Sequence, residues 1–565
     1  MNIFKFLINF ILQILLVTIF FSTLNARNLD KFSSGNYVSN YFSGILSLND
    51  SHYDESYKYL KRLEGLEESH SSYSSKFLFS LINLGKFNEA FYYSKKLDRK
   101  KLGNFESNLI IGIYYLKIQN YELAEKYFLK MRSVKTDFIL NEFLANSLLD
   151  WVSFSKLDFK NAQNRINSID KSFENLKKIQ NAFVHCYYKK PETKFIYEKL
   201  TLNEKVNFSR YNYFYASYLF NEGKEKNARK VLNSSLKLYP KNLLLNQLKL
   251  DLNLNKYQKK FDCKNLSHVI AEIFYITANA LSSQQIYKFS NFYLNLSKHL
   301  NQNFISFNTL LAENFYNVGD LKQAKKKYKN ISKQGEAYAW YSSKQKAKIL
   351  IEEKKNIEAI NLITKSYEKL SIKNIYETLD YAIFLKNNDR YKDAIKYYTK
   401  IINKIEKNHP LYPKVTDGRG VSYERLGEWE KAEKDLLSSL EASPDQAYVI
   451  NYLAYSWIEQ GTKIEKSLKM LEKANNLKSN DPYIVDSLGW ALFKLKRYEE
   501  SKQQLQFAVK LLPADPVIND HFGDALWKNG NKIQARYYWK YVLNLKDTEE
   551  ELKGKIKKKL LSGIM

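Results

Sequence analysis

Proline and glycine are scarce in this chain, 8 and 18 of 565 residues, and only 2 cysteines and 7 histidines occur. So few chain breakers exclude a turn-rich β architecture and predict a nearly all-helical protein with short connections. No Ser/Gly-rich or Pro-rich linker divides the chain. With no Cys-x-x-Cys pair and no His-rich cluster, the sequence offers no metal-ligand set and no cofactor site. A phosphate-cradling glycine loop and a Gly-x-Ser-x-Gly elbow are missing too. The many Asp and Glu residues fall at helical, solvent-facing spacing, the usual polar face. Nothing here marks an enzyme.

Acidic side chains are outnumbered, 60 against 89 Lys and Arg, for a formal charge of +29. Nucleic acid or an anionic surface would be the functional reading of such a balance. The excess is spread over almost the whole length as Lys, beside abundant Asn, Ile, Tyr and Phe, which is the bias an AT-rich genome writes on a neutral surface. No nucleic-acid partner is expected. Attraction to a membrane or to the anionic cell wall stays open, since a basic surface feels the field of such polymers.

One segment is strongly apolar. Phe6 to Leu24 carries only Asn9, Gln13 and a few hydroxyls as polar groups, Lys5 precedes it, and Leu24-Asn25-Ala26 is an acceptable cleavage site. Residues 1–26 therefore read as a secretory signal peptide or, uncleaved, as an N-terminal membrane anchor. Either places the remainder outside the cytoplasm. No Cys follows the apolar stretch, so a lipid anchor is not indicated.

What fills the rest is a beat of small residues. Ser56, Ala90, Ala124, Ala162, Ala228, Ser290, Ala324, Ala359, Ala394, Ala432, Ser467, Ser501 and Ala535 are separated mostly by 34 or 35 residues. Twelve positions before most of them stands another: Gly44, Gly112, Ala216, Ala278, Ala312, Ala347, Ala382, Gly420 or Gly489. Around each beat apolar residues recur at three and four, the helical period. Two antiparallel helices pack at about 8–10 Å only where the side chains at the crossing are small, so each beat predicts a helix pair. In Asp486 to Pro513, Leu488, Gly489 and Leu492 line one helix, Arg497 and Tyr498 make the turn, Ser501, Leu505 and Ala508 line the next, and Pro513 stops it.

This pattern resembles the tetratricopeptide repeat, a 34-residue unit with Leu-Gly, an aromatic or Leu three on, Ala, an aromatic or Leu four on, and a closing Pro. Gly420, Tyr423, Ala432, Leu436 and Pro444 fit it, as do Ala216, Leu219, Ala228, Leu232 and Pro240. The resemblance implies an all-α, right-handed superhelical solenoid of helix-turn-helix units over nearly all of the chain. Its expected divisions are N-terminal repeats at 37–176, degenerate repeats at 177–270 with one clear unit at 209–242, central repeats at 271–408, C-terminal repeats at 413–549, and a capping helix at 550–565. The doubled intervals Ala162–Ala228 and Ala228–Ser290 each predict a hidden repeat, around Lys177 to Phe208 and around Leu243 to Ile270. Stacked repeats would hold Cys186 and Cys263 about two units apart, so the two thiols are expected to stay unpaired. His185 beside Cys186 reads as two buried side chains pointing in different directions.

The resemblance further implies a non-catalytic scaffold whose first helices line a concave groove for a partner protein or peptide. Positions 2, 5, 9 and 12 of each repeat fall on that stripe. In the last four repeats it is acidic and aromatic, an inversion in so basic a protein, and the expected partner-binding residues are Tyr452, Tyr483, Asp486, Trp490, Asp520, Asp524 and Trp527. The Lys and Asn set that clamps a C-terminal carboxylate in chaperone-binding members is missing. Asp481 to Leu543 is similar to exported proteobacterial repeat proteins, some of which tether processing proteases to cell-wall hydrolases in the periplasm. Those are typically lipoproteins, and this chain lacks their acylated Cys. The other reading is an inner-membrane-anchored scaffold for envelope polymer export or assembly.

Overall fold

The computed structural model describes residues 35–134, 139–201, 207–304 and 306–564. The segment read as a signal peptide or anchor lies outside them. Among the described residues there are 30 α-helices and no strand, and no helix is long and apolar enough to cross a membrane. Two compact units divide after Ser366.

The small residues do what their spacing requires. All thirteen beat positions have no exposed surface. Opposite them, a methyl group on Gly112 would stand 2.3 Å from the Phe128 ring, one on Gly489 2.6 Å from Leu505, and one on Gly523 2.5 Å from Trp539. Where the beat is Ser, its hydroxyl can tie the two helices together. Ser290 Oγ donates to the Ala278 carbonyl and Ser501 Oγ to that of Gly489, each at 2.8 Å. Local chemistry sets the helix starts: Asp481 and Asp515 accept backbone N–H groups at the N-termini of Pro482–Lys494 and Pro516–Lys528, with Pro at the first helical position.

In the first unit the hidden segments behave differently from one another. The first holds the pair Glu174–Tyr187 and Thr193–Thr201. The second holds one helix, Leu243–Asn253, and a non-helical stretch up to Asn265. That stretch runs mostly exposed and turns Phe261 and Cys263 inward. Tyr257 packs on Phe220 with ring centroids 4.5 Å apart, and Phe261 lies 4.5 Å from Phe214 and 5.2 Å from Phe183.

This return of the chain overturns the expectation of unpaired cysteines. Cys186 and Cys263 form a disulfide, with Cα atoms 6.0 Å apart. A straight stack would separate them; the chain instead folds back, carrying Cys263 to the end of Glu174–Tyr187. His185 and Cys186 are both buried, as read from the sequence.

The following hairpin, Leu266–Ser283 and Tyr287–Leu300, lies against the first helices of the N-terminal repeats, Ser71–Asn83, Phe105–Lys117 and Ile139–Ser153. Phe292 stacks on Phe79 (4.2 Å), Asn291 Nδ2 donates to Tyr53 Oη (3.0 Å), and Asn295 Nδ2 to Asn83 Oδ1 (3.1 Å). A buried ion pair anchors its far side: Arg210 donates to both Glu272 carboxylate oxygens at 2.6 and 2.7 Å, its guanidinium 3.7 Å from the Tyr275 ring. The concave face of the N-terminal repeats is therefore core.

The second unit keeps the simple order. Helix pairs follow one another from Ile375–Lys386 and Tyr391–Ile402 to Pro516–Lys528 and Lys532–Asn544, and a last helix, Glu550–Ser562, packs on that final pair.

Candidate partner-binding groove

The first helices Tyr412–Glu424, Ala447–Glu459, Pro482–Lys494 and Pro516–Lys528 carry the stripe expected from the sequence. At its centre lies a buried cluster. Both oxygens of Asp486 are 3.0 Å from His521 Nδ1. The His521 ring lies on the Trp490 indole, centroids 4.0 Å apart and 11° from parallel, and Phe493 stacks on Trp490 at 4.8 Å. Trp490 Nε1 donates to Glu459 Oε1 at 2.6 Å.

One helix further on, Asp520 and Asp524 are both buried and both hold the Lys559 ammonium, at 2.6 and 2.7 Å. The other oxygen of Asp524 accepts from Trp539 Nε1 at 3.0 Å. Trp527 Nε1 donates to the Ile564 carbonyl at 3.1 Å. Tyr452 and Tyr483 stand apart from this cluster. Tyr452 is half-buried and donates to Glu424 Oε2 at 2.7 Å, whereas Tyr483 is 55% exposed.

The electrostatics follow from crowding acids out of water. Burial raises the Asp524 carboxyl and the neighbouring Asp520 charge raises it further, to about 6, against the pull of Lys559. For His521, burial alone would push the imidazole down. Asp486, then Asp520 and Asp524, outweigh it and hold the ring above its ordinary value. Asp417, nearer the N-terminal end of the stripe, is also raised by burial. Each of these three carboxylates is thus paired within the chain, Asp486 with His521 and Asp520 and Asp524 with Lys559.

Of the residues expected to face a partner, Asp486, Trp490, Asp520 and Asp524 are buried and Trp527 is half-buried beneath the tail, because His521, Lys559 and Ile564, which sequence reasoning missed, lie on them. Lys559 had a signal: the lysine-rich run from Lys553 to Lys559 follows directly on the one acidic stripe.

No protein-family model matches the chain. A stretch of 135 residues is 27% identical to the TPR repeat-containing protein PA4667 of Pseudomonas aeruginosa, covering 22% of this chain. The chain thus spans about a fifth (22%) of the length of that curated relative. Among solved structures, a MamA fragment from Desulfovibrio magneticus RS-1 is 17% identical over 31% of this chain and 97% of its own, with a TM-score of 0.27. TTC0263 of Thermus thermophilus is 15% identical over 33% of this chain and 100% of its own, with a TM-score of 0.29. YrrB, described as a TPR protein with an unusual peptide-binding site, is 16% identical over 34% and 97%, with a TM-score of 0.28. The repeat register and the buried small residues at each crossing give this chain a tetratricopeptide-repeat architecture, and a stretch of it is similar to a named TPR repeat-containing protein.

Proposed function

We propose that this protein is a non-catalytic scaffold of the bacterial cell envelope that binds a partner protein through the concave stripe of its C-terminal unit, the partner segment being basic, partly apolar, or both. One observation carries the reading. In a chain of net charge +29, this stripe gathers Glu459, Asp486, Asp520 and Asp524 beside Trp490 and Trp527, and a lysine already sits on it. The N-terminal concave face is filled by the chain itself, which favours the C-terminal unit for a partner.

The disulfide between Cys186 and Cys263 supports an oxidising compartment, since such bonds persist in the periplasm and outside the cell rather than in a reducing cytosol. A processing protease or a cell-wall hydrolase fits as partner. The test is affinity capture of the tagged full-length protein from envelope extracts, with mass spectrometry of what is retained. Enrichment that weakens in an Asp520→Asn variant whose Tm matches the wild type supports the groove, because a carboxylate paired with a partner's cation contributes to the lifetime of the complex. Retention unaffected by that variant at low salt refutes it.

A further inference from the structure

We propose that the C-terminal helix, Glu550–Ser562, is an intramolecular ligand of the groove, and that the pocket of Asp520, Asp524 and Trp527 takes a lysine-bearing, apolar-ended partner segment in its place. The inference rests on the scaffold reading above and assigns the competitor and the recognition element.

The tail does more than cover an apolar end. Its Lys559 ammonium bridges two buried carboxylates, and five residues on, the Ile564 carbonyl accepts from Trp527 Nε1. Lys555 adds its field toward Glu459 and Asp520. Between the two anchors Gly563 lies in the left-handed region, φ 73°, and a methyl group there would stand 2.0 Å from the Trp527 ring. Backbone therefore rests directly on the indole, an approach that glycine alone permits.

Removing Lys559 takes away the ammonium that both Asp520 and Asp524 hold, leaving two adjacent carboxylates whose charges repel one another. Two carboxylates crowded together favour a cation between them, so the vacated pocket suits another ammonium. The tail is also built to leave. In Glu550–Ser562 the single fully buried residue is Ile556, with Leu552 and Leu560 half-buried against the last pair, and Gly554 sits mid-helix with nothing within 4 Å of where its Cβ would be. No packing demands that glycine, and it weakens the helix by about 1 kcal/mol relative to Ala. Elements with few buried contacts open first.

The test uses the full chain and, as probe, a fluorescein-labelled peptide of residues 550–565 read by fluorescence anisotropy. Gly563→Ala frees the tail without altering the pocket, and Lys559→Ala does so by a second route; hydrogen exchange of residues 550–562 reports release. Both variants are expected to bind the peptide about tenfold more tightly than the wild type, the factor set by an undocked fraction of about a tenth. Adding Asp520→Asn to Gly563→Ala should abolish the gain. Equal binding by wild type and variants, a tail that stays docked in both, or a freed tail with no peptide bound would each overturn the proposal. If an envelope partner is retained equally by wild type and Gly563→Ala yet is lost on Asp520→Asn, the scaffold reading stands and competition by the tail falls. If retention ignores Asp520→Asn while the peptide obeys it, the scaffold reading falls instead.

Discussion

The imidazole of His521 is clamped between two different forces: its face lies on Trp490, centroids 4.0 Å apart, and its Nδ1 is held 3.0 Å from both oxygens of Asp486. Charge and stacking meet at one buried ring, so the stability of the C-terminal unit is tied to proton uptake there.

The sign follows from the raised value in the folded state. A His whose folded pKa exceeds its unfolded value of about 6.5 contributes stability that is complete below pH 6.5 and is lost as pH rises through the higher folded value. Asp524, raised to about 6 from 3.8, acts in the same direction at lower pH, its contribution disappearing as pH rises from about 4 through 6. Thermal melts by tryptophan fluorescence suit this measurement, because five of the seven Trp residues lie after residue 366. His521→Gln should flatten the fall in Tm above pH 6.5. A variant whose pH dependence there matches the wild type would show that the ring is not charged in the fold.

Trp490 is almost fully buried beneath His521 and Phe493. Trp490→Ala should therefore cost about 3–5 kcal/mol of stability, the range for large aromatic truncations in a core. Tyr483→Ala, at an exposed position, should leave Tm within about 1 °C while lowering partner retention, since surface substitutions stay within about 0.5 kcal/mol. Chemical denaturation of both variants beside the wild type separates the structural residue from the contact residue.

The disulfide predicts that neither Cys186 nor Cys263 is alkylated before reduction of the denatured protein and that both are afterwards. It closes a sequence separation of 77 residues, so the chain-entropy model assigns it about 4.5 kcal/mol at 25 °C. Cys186→Ser with Cys263→Ser should lower the stability of the first unit accordingly. Near-complete alkylation without reductant would contradict the fold of residues 254–265.

Arg210 and Glu272 are paired across residues far apart in the chain, with Glu272 fully buried and its carboxyl raised by that burial against the pull of Arg210. Arg210→Ala strands the carboxylate and should cost about 3–5 kcal/mol at neutral pH. The loss should shrink in acid, where the stranded group takes up a proton. Denaturant midpoints at pH 5 and pH 7.5 decide it, an equal loss at both arguing that packing on Tyr275 matters more than charge.

Two glycines should respond oppositely to the same substitution. Gly489→Ala drives a methyl group to 2.6 Å from Leu505 and should destabilise by about 1–3 kcal/mol through overpacking. Gly554→Ala meets nothing within 4 Å on a helix and should stabilise the tail helix by roughly 0.5–1 kcal/mol, slowing its hydrogen exchange.

By itself the sequence determined the repeating unit. A helix crossing admits only small side chains, so Ala, Ser or Gly at each crossing is a local demand written once per period, and the burial of Ser56 through Ala535 was legible from the period alone. Helix starts at Asp481 and Asp515 were equally local. The acidic stripe was legible because its spacing within one helix places Asp486 and Trp490, or Asp520 and Asp524, on one face.

Only the tertiary structure decided what covers each face. An apolar or acidic surface has the same pattern whether solvent, a partner or the chain itself lies on it, and the covering residues come from far away: Asn291 reaches Tyr53, Cys263 reaches Cys186, Lys559 reaches Asp524. One trace of this was present. The helix Phe105–Lys117 runs without a charge from Leu109 to Leu116 and is buried over most of its length, the mark of an element covered on more than one side. Yet it names no covering partner, because hydrophobic attraction is non-directional, and many apolar helices could have met that need. The non-helical stretch at 254–265 leads into the return hairpin that lies on the N-terminal repeats, and the reach of a short tail with Gly563 near its end brings Lys559 to Asp520 and Asp524.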